Sequence, residues 1–158
     1  MTTTKHIAQA IRNNSISEYQ DARYDEPNRI EEAEIVRFVD EDFSGANFAK
    51  FVMGFFLFDN CKLDRASHIC GQPIYFLNSS IRGVDFRRVH AMIYAENCDF
   101  TGIKVDDNTT FVYSPRDASE FINCIFDDET RESLVKQGAI FRDNVKDTSK
   151  YRAAWYID

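Results

Sequence analysis

The sequence predicts an all-β solenoid, a β-helix of stacked coils, with short helical caps at both ends. Large apolar residues recur at every fifth position, smaller residues recur two positions ahead of them, and the chain has 14 Phe against a single Trp. An α-helix would return its apolar face after three or four residues and a strand after two, so neither element explains this period. The clearest run of large residues is Phe43, Phe48, Met53, Phe58 and Leu63.

The five-residue pattern continues along most of the chain, but its phase changes. It extends back to Phe38 and forward to His68, where it weakens, and it resumes in a new phase after the segment ICGQPIYFL. The later large positions are Ile81, Phe86, Ala91, Phe100, Val105, Phe111, Phe121 and Phe126. The small positions are Ala46, Cys61, Ala66, Ser79, Val84, Val89, Cys98, Thr109, Ser119 and Cys124. The residue between the two is often Asp or Asn, as at Asp42, Asn47, Asp85 and Asp99.

A square coil satisfies this pattern. If each five-residue unit forms one side and turns a corner, the large and the small residue point inward and the other three face water. Four units close a coil, and coils stack at about 4.8 Å, so residues 38–126 make roughly four to five coils. We therefore divide the chain into an N-terminal helical cap with a first strand (1–37), the β-helix (38–126) and a C-terminal helix with an aromatic tail (127–158).

Four of the units, GANFA, NCKLD, GVDFR and NCDFT, resemble those of the pentapeptide-repeat proteins. Units of that family read approximately Ala, Asp or Asn, Leu or Phe, and two variable residues. The resemblance covers rather more than half of the chain, and it implies a right-handed quadrilateral β-helix of a bacterial type. Glu41, Phe51 and Phe56 at small positions, and His68 at a large position, depart from the pattern.

The flanks are predicted to cap the coil stack, because its open ends would otherwise expose unpaired strand edges. Apolar side chains recur at helical spacing in residues 4–14, and Ser17 with Gln20 forms a capping-box pattern for a second helix through Tyr24. Acidic residues at its start and Gly138 at its end predict a third helix in the segment DDETRESLVKQG.

Residues with a potential for catalysis or metal binding are few. The histidines His6, His68 and His90 are scattered, and only His68 has a nearby soft ligand, Cys70. Zinc ordinarily needs three or four protein ligands, so we interpret Cys70 as a small packing residue and the other cysteines as reduced thiols in the core. No phosphate-binding or hydrolase motif occurs, and we expect neither a cofactor, nor a metal, nor enzymatic activity.

The charge and the hydropathy of the chain bear on its partners and location. The net charge of -7 and the pI near 5.0 argue against direct binding to nucleic acid or to an anionic membrane. The amino terminus has no signal-peptide pattern, and nowhere do about 18 uninterrupted apolar residues occur, as a membrane span would need. We therefore expect a cytoplasmic protein.

Five acidic residues form a candidate acidic face: Asp40, Glu41, Asp42, Asp106 and Asp107. The first interpretation is that they occupy solvated corners of the coils. The resemblance implies another, because some pentapeptide-repeat proteins imitate a DNA duplex and inhibit or protect type II topoisomerases. The predicted β-helix has 12 acidic and eight basic residues, so a uniformly negative surface is not expected.

The leading functional hypothesis is a non-enzymatic scaffold that binds another protein of unknown identity, because no catalytic constellation accompanies the fold. The rival is an enzyme with its site in the irregular segment 68–80. The candidate interface consists of Tyr151, Trp155, Tyr156 and Ile157, which must pack on an apolar surface. They are expected to cover the chain's own final coil or to form a homodimer through the C-terminal end, and the resemblance favours the dimer.

Overall fold

The computed structural model describes residues 2–26, 29–31, 34–51 and 55–157. Within this part, the chain forms a β-solenoid of about five turns, which confirms the predicted fold class. Six strands stack as one parallel sheet in this order: β1 (Ile35–Val39), β2 (Phe55–Asp59), β3 (Gly71–Leu77), β4 (Ala91–Glu96), β7 (Glu120–Ile122) and β8 (Ile140–Arg142). Met53, which the pattern assigns to the core, lies outside the described residues.

A hairpin and four helices complete the described part. The hairpin consists of β5 (Val112–Ser114) and β6 (Asp117–Ala118), which pair antiparallel to each other. The helices are α1 (Thr3–Arg12), α2 (Ile16–Arg23), α3 (Asp128–Gln137) and α4 (Ser149–Ala154). The parallel sheet extends beyond residues 38–126 at both ends, because β1 begins before Phe38 and β8 follows Phe126.

The length of each coil explains the phase changes in the sequence. One ladder of parallel bridges joins residues at the same position of five coils: Asp42, Lys62, Ser80, Asp99 and Ile125. These residues are 20, 18, 19 and 26 positions apart, so only the first coil keeps the ideal length of four units. The 18-residue coil contains β3 and the irregular segment 68–80, and the 26-residue coil contains the β5–β6 hairpin.

The interior contains most of the predicted large and small residues, whereas Ala46, Val105 and Phe126 are half-buried and His68 is exposed. The buried large residues are Phe38, Phe43, Phe48, Phe58, Leu63, Ile81, Phe86, Ala91, Phe100, Phe111 and Phe121. The buried small residues are Cys61, Ala66, Ser79, Val84, Val89, Cys98, Thr109, Ser119 and Cys124. Phe58 stacks between Phe38 and Phe76, with ring centroids 5.3 and 5.4 Å apart, so the core continues from coil to coil.

The Asp and Asn residues between the inward positions hold the corners of the coils. The side chains of Asp42, Asn47, Asp85 and Asp99 each accept a hydrogen bond of 2.9 to 3.0 Å from the backbone N–H two residues later. Such a bond closes an Asx turn, which explains why short acidic and amide side chains recur there. His68 lies at a corner with a positive φ of 57°, and Ile69 is the buried residue beside it.

A second ladder of polar residues follows the strands of the sheet. Its members all have a φ between 52° and 58°: Asp40, Asn60, Asn78, Asn97 and Asn123. Asn and Asp tolerate this left-handed conformation better than other non-glycine residues do. Neighbouring side chains bond to each other, as in Asn60 Nδ2 to Asp40 Oδ1 at 2.7 Å, so the ladder ties successive corners together.

Helices cover the N-terminal end of the stack, as predicted. Helix α1 buries one apolar side and holds Glu41 through Lys5 and Arg12, at 3.1 and 2.8 Å. The predicted capping box at Ser17 is wrong by two residues, because the N-cap is Ser15, whose hydroxyl accepts a bond from the Glu18 N–H. Both serines have a capping partner three residues later, and the sequence pattern does not distinguish them.

At the C-terminal end of the stack, side chains bond to backbone groups that have no neighbouring coil. Helix α3 ends at Gly138, which has a left-handed φ of 106°. The Gln137 side chain accepts from the Phe111 N–H at 3.2 Å and donates to the Thr109 carbonyl at 2.9 Å. The Asp127 carboxylate accepts from the Gly102 N–H at 2.8 Å. These bonds satisfy strand groups that another coil would otherwise bond.

Candidate binding surface on the outer face of the sheet

The outer face of the sheet, the side turned away from the core, is apolar. Leu57, Tyr75 and Tyr94 are aligned on three neighbouring strands, and Leu77 and Ile122 lie two residues further along their own strands. All five side chains are at most 5% exposed, and they form a cluster separate from the inner core. The five-residue rule predicts that Leu57 and Ile122 face water, and for these two positions that prediction is wrong. Tyr75 and Leu77 lie in the irregular segment 68–80, to which the rule assigns no orientation.

The C-terminal strap, which we define as residues 145–157, covers this outer face. It starts where the Asn123 side chain pairs with the backbone of Val145, accepting from its N–H at 2.9 Å and donating to its carbonyl at 2.8 Å. Helix α4 follows, and its backbone hydrogen bonds stay within the strap. The strap is therefore attached to the sheet by side-chain contacts rather than by an additional strand.

Aromatic rings and one aliphatic side chain hold the strap against the outer face of the sheet. The Trp155 ring lies 5.6 Å from the Tyr94 ring and 6.4 Å from the Tyr75 ring, measured between centroids. The Tyr75 hydroxyl donates to the backbone carbonyl of Trp155 at 3.1 Å. Ile157, at the end of the strap, is 3% exposed and belongs to the outer cluster.

An ion pair between a half-buried arginine and a buried carboxylate holds the middle of the strap on the sheet. Arg152 donates from Nε and Nη2 to the two carboxylate oxygens of Glu96, at 2.6 and 2.9 Å, and the Tyr94 hydroxyl donates to the same carboxylate at 2.7 Å. The Glu96 side chain is only 1% exposed. Burial alone would raise the pKa of Glu96, but the bonds from Arg152 and Tyr94 outweigh it and lower the pKa.

The four residues of the candidate interface have different positions. Trp155 and Ile157 contact the chain's own sheet, and Tyr151 packs beside them, with the Arg142 guanidinium 4.5 Å from its ring centre. Tyr156 is 88% exposed. The surface that receives the tail is thus the outer face of the sheet, and Tyr156 alone points its ring to solvent.

An open hollow of about 590 Å³ remains between the strap, the sheet and the β5–β6 hairpin. Its wall includes Phe55, Tyr75, Met92, Asp117, Trp155 and Tyr156. The Tyr75 and Trp155 rings stand at 87° to each other, and Trp155 is half-buried, whereas Tyr75 is only 5% exposed and reaches the hollow with little of its surface. Asp117 contributes a carboxylate that accepts from the Ser114 hydroxyl at 3.1 Å and makes no ion pair with any described residue.

The first half of the candidate acidic face is occupied by structural contacts. Asp40 accepts a bond from Asn60, and Asp42 closes a corner. Burial would raise the pKa of Glu41, but the bonds from Arg12 and Lys5 lower it. These carboxylates hold a corner and the N-terminal helix in place.

The second half of the acidic face lies in a different ladder of the solenoid. Asp42 pairs with Lys62, whereas Asp106 follows Lys104, which belongs to the ladder that contains Asp85. The Asp106 carboxylate accepts from the backbone N–H groups of Arg88 and Asn108, at 3.1 and 3.0 Å. Asp107 is exposed. The two halves of the candidate acidic face therefore lie in different ladders of the solenoid.

Three of the four cysteines lie in the core of the solenoid, and the fourth lines a hollow together with two histidines. Cys61, Cys98 and Cys124 are buried, and burial raises the pKa of Cys61 to about 11. Cys70 is half-buried beside His68 and His90 in a hollow of about 480 Å³, and burial raises the pKa of its thiol as well. In the described part of the chain, no group of three or more His, Cys, Asp or Glu could hold a metal ion.

One sequence signal could have revealed the outer face. The strands β2, β3 and β4 contain the nearly continuous apolar runs FFLF, PIYFL and AMIYA, whereas a strand with one wet face alternates apolar and polar residues. A continuous run is typical of a strand that is buried on both faces. The runs therefore indicate an outer cover, although they do not identify the strap as that cover.

Comparisons of this chain with models of protein families, with curated proteins and with solved structures found no match. Among the described residues, no helix combines the length and the apolar character that crossing a membrane requires. The surfaces of the solenoid itself are therefore the observations that bear on its function.

Proposed function

We propose that this chain is a non-enzymatic protein-binding scaffold of the pentapeptide-repeat type, with a right-handed quadrilateral coil, and that it acts in the cytoplasm. One observation carries the functional part of the proposal. The outer face of the sheet is apolar, and the strap covers it only in part, which leaves the aromatic hollow open. The partner is another protein, whose identity the surface does not specify.

Three properties of the hollow support this proposal. Its volume of about 590 Å³ falls within the range of about 300 to 1,000 Å³ that is usual for small-molecule sites, so it is large enough to enclose a small chemical group. Tyr and Trp side chains, which dominate the energetics of protein interfaces, belong to its wall and rim. The rigid solenoid holds the sheet side of the hollow in a fixed position, so little ordering is needed on binding.

Affinity purification with matched variants tests the proposal. Tyr156→Ala removes the exposed ring at the rim of the hollow, and Tyr113→Ala removes a 41% exposed ring at the separate hollow beside Cys70. We expect the wild type and Tyr113→Ala to retain a common protein that Tyr156→Ala loses. Retention of the same proteins by all three baits would contradict the assignment of the surface, since neither side chain contributes to the core.

The enzyme hypothesis and the topoisomerase hypothesis receive less support. An enzyme in segment 68–80 would need an activated thiol, yet the pKa of Cys70 is raised, which lowers its thiolate population at neutral pH. If Cys70 were catalytic, it would react with a thiol reagent much faster than an ordinary exposed cysteine. A DNA mimic would need aligned negative charges, whereas the first ladder places Lys62 between Asp42 and Ser80.

A homodimer through the C-terminal end remains part of the proposal about partners. In the last described coil, Ile125 is 60% exposed and Val135 of α3 is 52% exposed, so this end has apolar side chains available for a second copy. Light scattering on the wild type and on Ile125→Lys tests it. A dimer that becomes a folded monomer in the variant supports the contact, and a monomeric wild type contradicts it.

A further inference from the structure

We infer that the hollow beneath the strap binds a methylated ammonium group. The inference deepens the proposed function, because it names the chemistry that the hollow recognises, and it rests on that function only for the idea that the cation belongs to a protein partner. The observations that carry it are the half-buried ring of Trp155 and the exposed ring of Tyr156 on the wall of the hollow, the buried Tyr75 ring that stands perpendicular to Trp155, and the carboxylate of Asp117.

The arrangement of the rings favours a cation over a neutral apolar group. An aromatic face is negative and its edge is positive, so a cation in contact with several faces gains electrostatic attraction as well as burial. A methylated ammonium group is the cation that suits such a site best, because it keeps its positive charge while its methyl groups pack on the rings. Lysine without methyl groups is strongly hydrated, and its dehydration would offset much of this gain.

The position of the Tyr75 and Trp155 rings is fixed before any ligand binds. The Tyr75 hydroxyl holds the Trp155 carbonyl, and the Trp155 ring also rests on Tyr94 at 5.6 Å between centroids. The ion pair between Arg152 and Glu96 anchors the preceding turn of the strap. A site that is already ordered loses little conformational freedom on binding.

The carboxylate of Asp117 places a negative charge at the hollow, which complements the positive charge of the cation. It lies in the β5–β6 hairpin, which lengthens its coil to 26 residues and brings a carboxylate to the rim of an otherwise apolar hollow. Its only hydrogen-bond donor among the described side chains is the Ser114 hydroxyl, so a cation in the hollow would be its first charged partner. Arg37 is a competing positive charge of the chain, because it is aligned with Leu57, which is aligned with Tyr75 on the next strand, and its field acts on the Tyr75 hydroxyl.

Trp155 makes the test direct, because it is the only Trp of the chain and belongs to the wall of the hollow. We would titrate the full chain with choline and with 3,3-dimethylbutan-1-ol, its neutral isostere, and follow the emission of Trp155 together with saturation-transfer NMR of the ligand. We expect saturable binding of choline that is about tenfold tighter than that of the isostere. Equal binding of the two, or no saturable binding of choline by either method, would overturn the inference.

Variants locate the site and distinguish the contribution of its charge to binding from the contribution of its shape. Tyr156→Ala and Asp117→Asn should each weaken choline binding several-fold, Tyr113→Ala should leave it unchanged, and Arg37→Gln should strengthen it. Both Tyr156 and Asp117 are exposed, so these two substitutions leave the fold intact, which circular dichroism would verify. Unchanged binding in Tyr156→Ala and Asp117→Asn together would place the cation elsewhere and contradict the inference.

The source of the cation is determined by a further comparison. A short peptide that contains trimethyl-lysine and the same peptide with unmodified lysine are titrated beside choline. Preference for the modified peptide identifies a protein side chain as the source, and binding of choline alone identifies a small molecule. If no cation binds but Tyr156→Ala still loses a partner in the purification, only this inference fails. If cations bind and no partner is retained, the scaffold proposal fails.

Discussion

Two sides of the same strands are buried in different ways. In β2 and β3, Phe58 and Phe76 stack on each other inside the coil, while Leu57 and Tyr75 on the outer side lie under the strap. The inner residues are covered by the coils above and below them, which have the same repeat. The outer residues are covered by a segment from the far end of the chain. Burial by stacking is a property of the repeat, and burial by the strap is a property of one distant segment.

This difference implies two levels of stability. To expose the inner core, parallel strands must separate and lose their backbone hydrogen bonds. To expose the outer face, side-chain contacts need to break, among them the two bonds between Asn123 and Val145 and the bond from Tyr75 to Trp155, while the backbone bonds of α4 stay within the strap. We therefore expect the strap to open at a lower free energy than the solenoid unfolds.

The largest effect is expected from a charge in the inner core. Phe48→Asp places an unpaired carboxylate among the rings of Phe43 and Phe58, at centroid distances of 5.6 and 5.8 Å, and should prevent folding. Tyr156→Asp adds the same charge at an 88% exposed position and should fold normally. Circular dichroism distinguishes the two outcomes. A soluble, folded Phe48→Asp would be incompatible with the stacked core.

A neighbouring pair in β3 measures the difference between the two sides. Phe76→Ala should cost about 3 to 5 kcal/mol of unfolding free energy, because it leaves a cavity between stacked coils. Tyr75→Ala should cost about 1 to 2 kcal/mol, because the loss cannot exceed the free energy with which the strap docks. Denaturant unfolding followed by circular dichroism gives both values. Equal losses would indicate that the strap is an integral part of the core.

The sequence was sufficient for the inner side and insufficient for the outer side. Every coil must place Phe or another apolar residue at the same inward point, so the period, the phase slips and most of the core residues can be read from the sequence. The strap contributes a single Trp155 and a single Arg152, whose partners Tyr94 and Glu96 lie more than 50 residues earlier. A contact that occurs only once, between distant segments, leaves no repeating pattern in the sequence from which it could be predicted.

The strap should release when its ion pair is removed. Arg152→Ala removes the charged partner of the buried Glu96 carboxylate and leaves it with the hydroxyls of Tyr94 and Thr148, and we expect a loss of about 2 to 3 kcal/mol in strap docking. The measurement is a red shift of Trp155 emission while the far-UV circular dichroism stays nearly constant. Arg82→Ala serves as the control, because its pair with Asp99 is exposed and contributes at most about 1 kcal/mol.

The smallest effect is expected from acid. Because the pKa of Glu96 is lowered in the folded chain, its contribution is fully present above the ordinary value of 4.5 and is lost as the pH falls through the lowered pKa. Trp155 emission should therefore shift to the red below that ordinary value. Glu96→Gln lacks the titrating group, so the shift in this variant should be absent. The same acid transition in both proteins would assign the shift to another carboxylate.

Hydrogen exchange on the wild-type chain tests the central claim most directly, because it measures opening of the strap and of the sheet in one sample. We predict that the hydrogen-bonded amides of Tyr151, Arg152 and Ile157 exchange together, with intermediate protection. Amides in the inner strands β2 and β3 should exchange only through global unfolding. Strap amides that exchange at the same free energy as those strands, or strap amides without any protection, would contradict the existence of a separately opening outer layer.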